Sequence, residues 1–302
     1  MESLLQARWW VGDAWAIVPT LPPSSVDCVV TSPPYWGQRD YGVPGQFGVE
    51  PDPDAYVARL VALFEGLRTV LKPTGTIWLN LGDSYAKTRS TNGGFGPRST
   101  LQGATGPHIR YRASNRGGTA YRLNPGTPRK SLLGMPWRVA LALIQAGWIL
   151  RSDIIWVKPN AMPESVRDRP TESHEYLFFF TGGQRYWFCA AALAEPAQWA
   201  NQPQRNGRSV WTIPTQPSRW PHLAPMPDAL VRRCIAAGCP PGGVVLDPFA
   251  GVGTVLRVAN QLGRHGWGIE LHPDYVRWGI QANPQLAWAF PGKEAADGRA
   301  DL

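Results

Sequence analysis

The 302-residue chain lacks the features that mark several classes of protein. No apolar stretch approaches the roughly eighteen residues of a membrane span, and no basic segment followed by an apolar core opens the chain. We therefore expect neither a membrane span nor a secretion signal, and a cytoplasmic location. The chain has only four cysteines, Cys28, Cys189, Cys234 and Cys239. Their spacing matches neither a disulfide framework nor a zinc site, so we expect no structural metal.

Acidic residues are absent from the segment between Ser84 and Gly134. The same segment contains nine basic residues, which exceed the net charge of +8 of the whole chain. They are Lys87, Arg89, Arg98, Arg110, Arg112, Arg116, Arg122, Arg129 and Lys130. Gly, Asn, Ser and Thr separate them, so the segment has too little apolar content to fold alone. It is typical of a flexible arm that a polyanion orders, with the guanidinium groups on phosphates, and a solvated surface loop is the alternative.

Residues 31 to 36 read Thr-Ser-Pro-Pro-Tyr-Trp and follow an apolar run, 26 to 30, that predicts a buried strand. A hydroxyl, two prolines and an aromatic ring at the carboxyl end of such a strand predict a rigid rim. A planar ring can stack there, and its amino group can meet fixed acceptors. Taken alone, the motif also fits a stiff turn without any further role.

A second motif, Gly-Val-Val-Leu-Asp-Pro-Phe-Ala-Gly-Val-Gly-Thr, occupies residues 243 to 254. It predicts a strand, an acidic corner, a glycine loop and a helix, which together are typical of a nucleotide-type cofactor site. Gly251 and Gly253 let a ligand approach the backbone, and Asp247 can accept hydrogen bonds from an amine. Glu270 ends the next short strand, where a carboxylate suits ribose hydroxyls. An NAD-dependent dehydrogenase shows the same pattern, so this half alone leaves that alternative open.

Periodicity outlines the remaining elements. Apolar positions predict helices over 54–71 and 132–147, and strands over 148–157 and 174–180. Alternating helices and strands predict an α/β protein with a mostly parallel sheet.

Together, the early Ser-Pro-Pro-Tyr and the late Asp-Pro-Phe-Ala-Gly-Val-Gly-Thr resemble the S-adenosylmethionine-dependent DNA amino-methyltransferases. The order resembles the β class, in which the catalytic loop precedes the cofactor loop. Gly12-Asp13 and the segments 71–79, 154–160 and 220–227 extend the resemblance over most of the chain. It implies a Rossmann-like α/β fold, with a mostly parallel seven-stranded sheet flanked by helices and with inserted DNA-recognition segments.

The resemblance implies one methyltransferase domain over residues 1–302. We expect a catalytic half over 1–183, a basic DNA-binding insert over 84–134, a target-recognition segment over 184–219, a cofactor-binding half over 220–290, and a tail over 291–302.

The implied reaction moves a methyl group from S-adenosyl-L-methionine to the exocyclic amino group of a base flipped out of the duplex. The expected catalytic residues are Ser32, Pro33, Pro34 and Tyr35. The Ser32 hydroxyl and the Pro33 carbonyl would accept the two amino hydrogens, and Tyr35 would stack on the base. Trp36 is either a second wall for the base or a core residue.

The expected cofactor-binding residues are Asp13, Thr31, Asp247, Pro248, Phe249, Ala250, Gly251, Gly253, Thr254 and Glu270. By the resemblance, Asp13 contacts the adenine, although Gly-Asp before a helix equally fits a helix cap. His222 would line the methionine end or be a structural histidine.

Serine at the first position of the motif accompanies cytosine N4 in the family, so we expect cytosine N4 as the target and keep adenine N6 as the alternative. The expected partners are double-stranded DNA, which would associate the protein with the nucleoid, and a cognate restriction endonuclease. The protein would act as a monomer or a homodimer. A non-catalytic DNA-binding protein would explain the basic arm but neither site loop.

Overall fold

The computed structural model describes residues 7–86, 127–197, 203–217 and 225–286. Ten strands occur in this part of the chain: β1 (Ala7–Val11), β2 (Val26–Thr31), β3 (Leu71–Leu81), β4 (Ile149–Val157), β5 (His174–Thr181), β6 (Glu195–Pro196), β7 (Gln204–Arg205), β8 (Val210–Thr212), β9 (Val244–Asp247) and β10 (His265–Glu270). Six α-helices accompany them: α1 (Ala14–Ile17), α2 (Pro53–Val70), α3 (Met135–Gln145), α4 (Asp228–Gly238), α5 (Thr254–Gln261) and α6 (Pro273–Ala282).

Eight of these strands form one sheet in the order β1-β10-β9-β2-β3-β5-β4-β8. Only β5 runs against its neighbours, so the sheet is mostly parallel, as the sequence predicted. The parallel strands therefore deliver the loops at their carboxyl ends to a single edge of the sheet, where ligands bind in open α/β folds. Because β5 is reversed, its first residues lie at that same edge.

The central strands are buried on both faces, which explains their continuous apolar sequence. All six residues of β2 are buried. One face of the sheet packs against α2, which buries Tyr56, Leu60, Leu63, Phe64 and Leu67 at helical spacing. Helices α4 and α5 contribute Leu230, Val231, Val255 and Leu256 to a second cluster with Val30 and Val245.

The structure differs from the sequence predictions at two places. The sheet has eight strands rather than seven, because the short β8 pairs with the edge strand β4. Three residues give too few positions for a periodic signal, and β8 lies inside the predicted target-recognition segment. Helix α3 begins at Met135 rather than at Leu132, because Gly134 adopts a left-handed conformation with φ of 67° and Leu132 is bridged to Tyr85.

Several predictions concern positions outside the described residues. These are the tail after Pro291, His222, and seven of the nine basic residues of the arm, from Lys87 to Arg122. In the part of the chain that is described, no helix combines the length and apolar character that a bilayer crossing needs.

Candidate active site

The two motif loops lie side by side because β2 pairs in parallel with β9. Cys28 is opposite Val245 and Val29 is opposite Leu246, although more than two hundred residues separate them in sequence. At the ends of these strands, the Thr31 hydroxyl donates a 2.7 Å hydrogen bond to Asp247 Oδ1. The serine loop and the glycine loop therefore open onto the same edge of the sheet.

A cavity of about 400 Å³ lies between the two loops. The serine loop lines it with Ser32, Pro33, Pro34 and Tyr35, and the glycine loop lines it with Asp247, Pro248, Phe249, Ala250, Gly251, Val252, Thr254 and Val255. Asp13, Glu270, His272 and Tyr275 contribute from the neighbouring loops. Such a volume falls within the range of small-molecule sites in proteins.

A buried carboxylate, Asp247, and a half-buried one, Glu270, lie on the side of the cavity where the cofactor is expected. Asp247 is 3% exposed and also accepts a hydrogen bond from the Phe249 backbone N–H at 3.0 Å. Glu270 accepts hydrogen bonds from the backbone N–H groups of Gly251 and His272, each at 2.8 Å. Burial raises the pKa of Asp247 to about 7 and that of Glu270 to about 7. No lysine or arginine in the described residues pairs with either carboxylate. An ammonium group of a ligand therefore fits Asp247, and ribose hydroxyls fit Glu270.

Two of the expected cofactor residues lie beneath the cavity rather than in its wall. Thr31 is fully buried, and its hydroxyl bonds to Asp247 and so orients that carboxylate. Gly253 directly precedes α5 with φ of +79°, and a Cβ atom there would lie 2.6 Å from the Trp9 ring. Both residues position the glycine loop, and their own contact with the cofactor stays a prediction.

Asp13 caps α1, because its side chain accepts a 3.0 Å hydrogen bond from the Trp15 N–H. Its second oxygen lies 3.9 Å from Arg59, and the residue also lines the cavity. The cap is therefore observed, and the contact with adenine stays a prediction.

The loop from Tyr41 to Glu50 forms a cavity wall that no sequence motif predicted. Arg59 on α2 holds it, donating to the carbonyls of Gln46 at 2.8 Å and Gly45 at 2.6 Å and pairing with Glu50 at 2.9 Å. Its guanidinium covers the Phe47 ring, which meets Phe249 edge to face at 5.1 Å.

The serine loop is fixed from two sides. The Tyr56 hydroxyl on α2 donates to the Pro34 carbonyl at 2.9 Å. Trp36 is only 4% exposed and donates from its indole nitrogen to the Glu50 carbonyl at 3.0 Å, so it is a core residue and not a second wall for the base.

A hydrogen-bonded group of five side chains forms the other end of the cavity. The Ser32 hydroxyl donates to Tyr35 Oη at 3.2 Å, and Tyr35 Oη lies 2.7 Å from Glu175 Oε2 and 3.1 Å from Asn80 Oδ1. Asn80 donates to the same Glu175 oxygen at 2.9 Å, and Lys158 pairs with the other. Asn80, Lys158 and Glu175 were not expected from the sequence. They meet because the ends of β3 and β4 and the start of reversed β5 share one edge.

Comparisons with known proteins agree with this arrangement. The sequence profile of the DNA methylase family, which covers N6 and N4 methyltransferases, matches residues 26–282. The type II methyltransferase M.SmaI from Serratia marcescens is 47% identical over 275 residues, which are 91% of this chain and 90% of the relative. M.Cfr9I from Citrobacter freundii is 45% identical over 276 residues, covering 89% and 85% of the two chains.

The chain belongs to the DNA methylase family. It is an S-adenosylmethionine-dependent DNA amino-methyltransferase of the β class, which excludes the dehydrogenase and the non-catalytic alternatives. Solved structures share its fold. The PvuII DNA methyltransferase superposes with a TM-score of 0.64 at 17% identity, covering 96% of this chain and 89% of its own. A putative DNA modification methylase from Thermus thermophilus, in complex with S-adenosyl-L-methionine, gives 0.60 at 22% identity, covering 96% of both chains.

The raised pKa values of Asp247 and Glu270 predict how the stability of the ligand-free methylase depends on pH. Carboxylates ionise near pH 4 in an unfolded chain, whereas these two ionise near pH 7 in the fold. Their contribution to stability is therefore complete below about pH 4 and is lost as the pH rises through 7. Each group contributes about 2–3 kcal/mol to this change, so we expect the free energy of unfolding in urea to fall by roughly 5 kcal/mol between pH 5 and 8.

Asp247→Asn checks the cause of that fall, because the variant cannot ionise at this position. We expect its unfolding free energy to decline less over the same interval. A wild-type stability that increases steadily from pH 5 to 8 would contradict the assignment.

The two described residues of the basic arm lie at its carboxyl end. Arg129 is exposed, and Lys130, with φ of 68°, forms an ion pair with Asp168 on the loop between β4 and β5. This pair ties the end of the arm to the methylase body next to Tyr85, over which Arg169 stacks.

Proposed function

We propose that this methylase transfers the methyl group to the exocyclic N4 nitrogen of a cytosine flipped out of double-stranded DNA. The observation that carries the proposal is the position of Ser32, which lines the cavity with its Oγ 3.2 Å from Tyr35 Oη. Tyr35 donates its own proton to Glu175 at 2.7 Å, so Ser32 is the donor to Tyr35, and the lone pairs of Ser32 Oγ are available as acceptors in the cavity. An amino group offers two donors and no acceptor once its lone pair is aimed at the methyl group.

Each wall of the cavity has a role in this proposal. When bound, S-adenosyl-L-methionine supplies an electrophilic methyl group. Asp247 holds the amino group of its methionine part and Glu270 the ribose hydroxyls, while Phe249 and Gly251 enclose it. Ser32 Oγ and the Pro33 carbonyl accept the hydrogens of the cytosine amino group, which keeps its lone pair directed into the cavity. The Tyr35 ring packs over Gly82, where a Cβ atom would lie 2.6 Å from it.

Adenine N6 is the alternative target, since its amino group offers the same two donors. Serine rather than an acid or amide at position 32 supports cytosine, and the PvuII enzyme that shares the fold is described as cytosine-N4-specific. The test is to methylate unmodified DNA with isotopically labelled cofactor, digest it to nucleosides and identify the labelled one by mass spectrometry. The proposal predicts labelled N4-methylcytosine. Labelled N6-methyladenine would contradict the proposal and support adenine N6 as the target.

The proposal also assigns DNA binding to the basic arm and base reading to residues 184–219. Thr215 and Gln216 of the latter line the cavity, and Asn160 exchanges two hydrogen bonds with the Thr215 backbone, at 2.8 Å and 3.2 Å. This contact joins the segment to the loop that follows β4, next to Lys158.

We expect the affinity of the methylase for DNA to fall by about 10³-fold between 50 and 200 mM salt, because arginines that contact phosphates displace bound counterions. Fluorescence anisotropy of a labelled duplex measures this dependence. The double variant Arg110→Ala/Arg112→Ala should lower the slope of log affinity against log salt by about 2, whereas Arg232→Ala/Arg277→Ala, exposed on α4 and α6, should leave it unchanged. A flat wild-type dependence would reassign the arm as a surface loop.

The relatives that match most of the chain are named as type II methyltransferases, and this supports a cognate restriction endonuclease whose sites the methylase protects. We further propose that it acts in the cytoplasm on nucleoid DNA, as a monomer or a homodimer. Resistance of the methylated product to a panel of endonucleases identifies the protected site.

A further inference from the structure

The hydroxyl groups of Ser32 and Tyr35 and the carboxylate of Glu175 form a chain of hydrogen bonds at the end of the cavity where the base would bind. Each bond is donated in the direction of Glu175. Tyr35 Oη donates to Glu175 Oε2 at 2.7 Å, whereas Asn80 Oδ1 lies farther away, at 3.1 Å. Because Tyr35 uses its only proton in this way, Ser32 is the donor in the 3.2 Å bond between the two hydroxyls. A proton arriving at Ser32 therefore has an ordered path to Glu175.

We propose that Ser32, Tyr35 and Glu175 form a relay that removes the surplus proton of the target amino group, with Glu175 as its final acceptor. The inference rests on the proposed function, because it requires an amino group at Ser32. It applies equally to cytosine and adenine, and it assigns a role to a residue that lies 140 positions beyond Tyr35 in the sequence.

The proton balance of the relay is simple. After methylation, the target nitrogen holds two hydrogens and a positive charge, and it is strongly acidic because losing one restores conjugation with the ring. One N–H bond breaks as Ser32 Oγ takes this proton and passes its own to Tyr35. Tyr35 passes its own to Glu175 Oε2, so both hydroxyls end as they began. The base is left neutral and Glu175 protonated, and Glu175 later releases the proton to water.

The neighbouring residues support the proposed roles of Tyr35 and Glu175. Burial, and next the negative charge of Glu175, raise the pKa of Tyr35 well above its usual value, so Tyr35 stays protonated and hands on a proton only when it receives one. Asn80 donates to Glu175 Oε2 and to the Tyr176 carbonyl, which fixes the acceptor oxygen in place. Lys158 pairs with the other oxygen of Glu175. Both Lys158 and Glu175 line the cavity, which gives the proton an exit.

The test compares Glu175→Gln, which keeps the size of the side chain but cannot take a proton, with Tyr35→Phe, which keeps the ring but cuts the relay. Single-turnover methyl transfer is measured on preformed complexes, and the affinities for S-adenosyl-L-methionine and DNA are measured separately. General-base catalysis typically contributes 10²–10⁴-fold, so each variant should lose about 10²-fold or more in rate with affinities within about threefold of wild type. Glu65→Gln, which removes a paired carboxylate outside the cavity, is the matched control.

The double variant separates a relay from a purely structural role. If both residues act on one proton, Tyr35→Phe/Glu175→Gln should be no slower than the slower single variant, because the path is already cut. The relay is overturned if Glu175→Gln transfers methyl groups at nearly the wild-type rate, if the two losses multiply, or if weaker binding accounts for the loss. Should Glu175→Gln fail to fold, a Tyr35→Phe variant of wild-type rate overturns it alone. A wild-type protein that leaves DNA unmethylated instead contradicts the proposed function.

Discussion

Ser32→Ala is expected to lower the rate of methyl transfer by about 10²–10³-fold, the typical loss when one preorganised hydrogen-bonding partner of the reacting group is removed. The amino nitrogen is a poor nucleophile because its lone pair is delocalised into the ring. Ser32 Oγ holds one of its hydrogens so that the lone pair turns towards the methyl group, and alanine offers nothing in its place. Single-turnover kinetics with labelled cofactor measures the effect.

The loss should be confined to the chemical step. Ser32 bonds to Tyr35, and no side-chain hydrogen bond joins it to the glycine loop within the described residues, so the affinity for S-adenosyl-L-methionine, measured by calorimetry, should stay within about threefold of wild type. Ser25→Ala removes a serine hydroxyl that is bonded to the Pro22 carbonyl just before β2, and it should leave both quantities unchanged. A Ser32→Ala enzyme of normal rate but poor cofactor affinity would show that Ser32 binds the cofactor, and it would contradict the assignment of Ser32 to the target base.

Asp247→Asn is expected to weaken S-adenosyl-L-methionine binding by about 10²-fold, because a hydrogen bond to a charged group contributes roughly 1.5–3 kcal/mol. Thr31 and Phe249 both donate to Oδ1, which asparagine retains, but asparagine has no charge to offer the ammonium group of the cofactor. The same change removes a buried carboxylate whose ionisation opposes folding at pH 8. The ligand-free variant should therefore be more stable than wild type at that pH.

Opposite changes in affinity and stability distinguish a ligand-binding carboxylate from a structural one. A purely structural Asp247 would lower both the unfolding free energy and the affinity when it is replaced, and that result would contradict the assignment. Asp54→Asn, on the exposed first turn of α2, controls for the removal of one negative charge, and it should alter neither quantity by more than about half a kcal/mol.

The sequence was sufficient for the two loops because each carries its own local signal. An apolar run followed by Ser-Pro-Pro-Tyr, and another followed by Asp-Pro-Phe and two glycines, specify a buried strand and a turn without reference to the rest of the chain. That the loops adjoin followed only from the resemblance, since nothing local to either motif specifies that β2 pairs with β9.

The base end of the cavity was missed for the same reason. Glu175 is the second residue of a strand that continues with an almost entirely apolar run, and Lys158 directly follows the apolar end of β4, residues 154–157. The charged residues at positions 158 and 175 were the signal available in the sequence, because a charge that becomes buried is usually paired with an opposite charge. Matching the two requires knowing that β5 runs antiparallel beside β4, and a sequence of alternating helices and strands predicts the commoner parallel arrangement. The Arg59 contacts to the loop over residues 45–50 depend likewise on how α2 packs.

The most direct test is a crystal structure of the methylase with a non-reactive analogue of S-adenosyl-L-methionine and duplex DNA that contains its target site. We predict a cytosine turned out of the duplex, with its amino nitrogen within about 3.2 Å of Ser32 Oγ and of the Pro33 carbonyl oxygen, and the ammonium group of the analogue on Asp247. A target base that stays stacked in the duplex, or an analogue bound away from Asp247 and Glu270, would contradict this account.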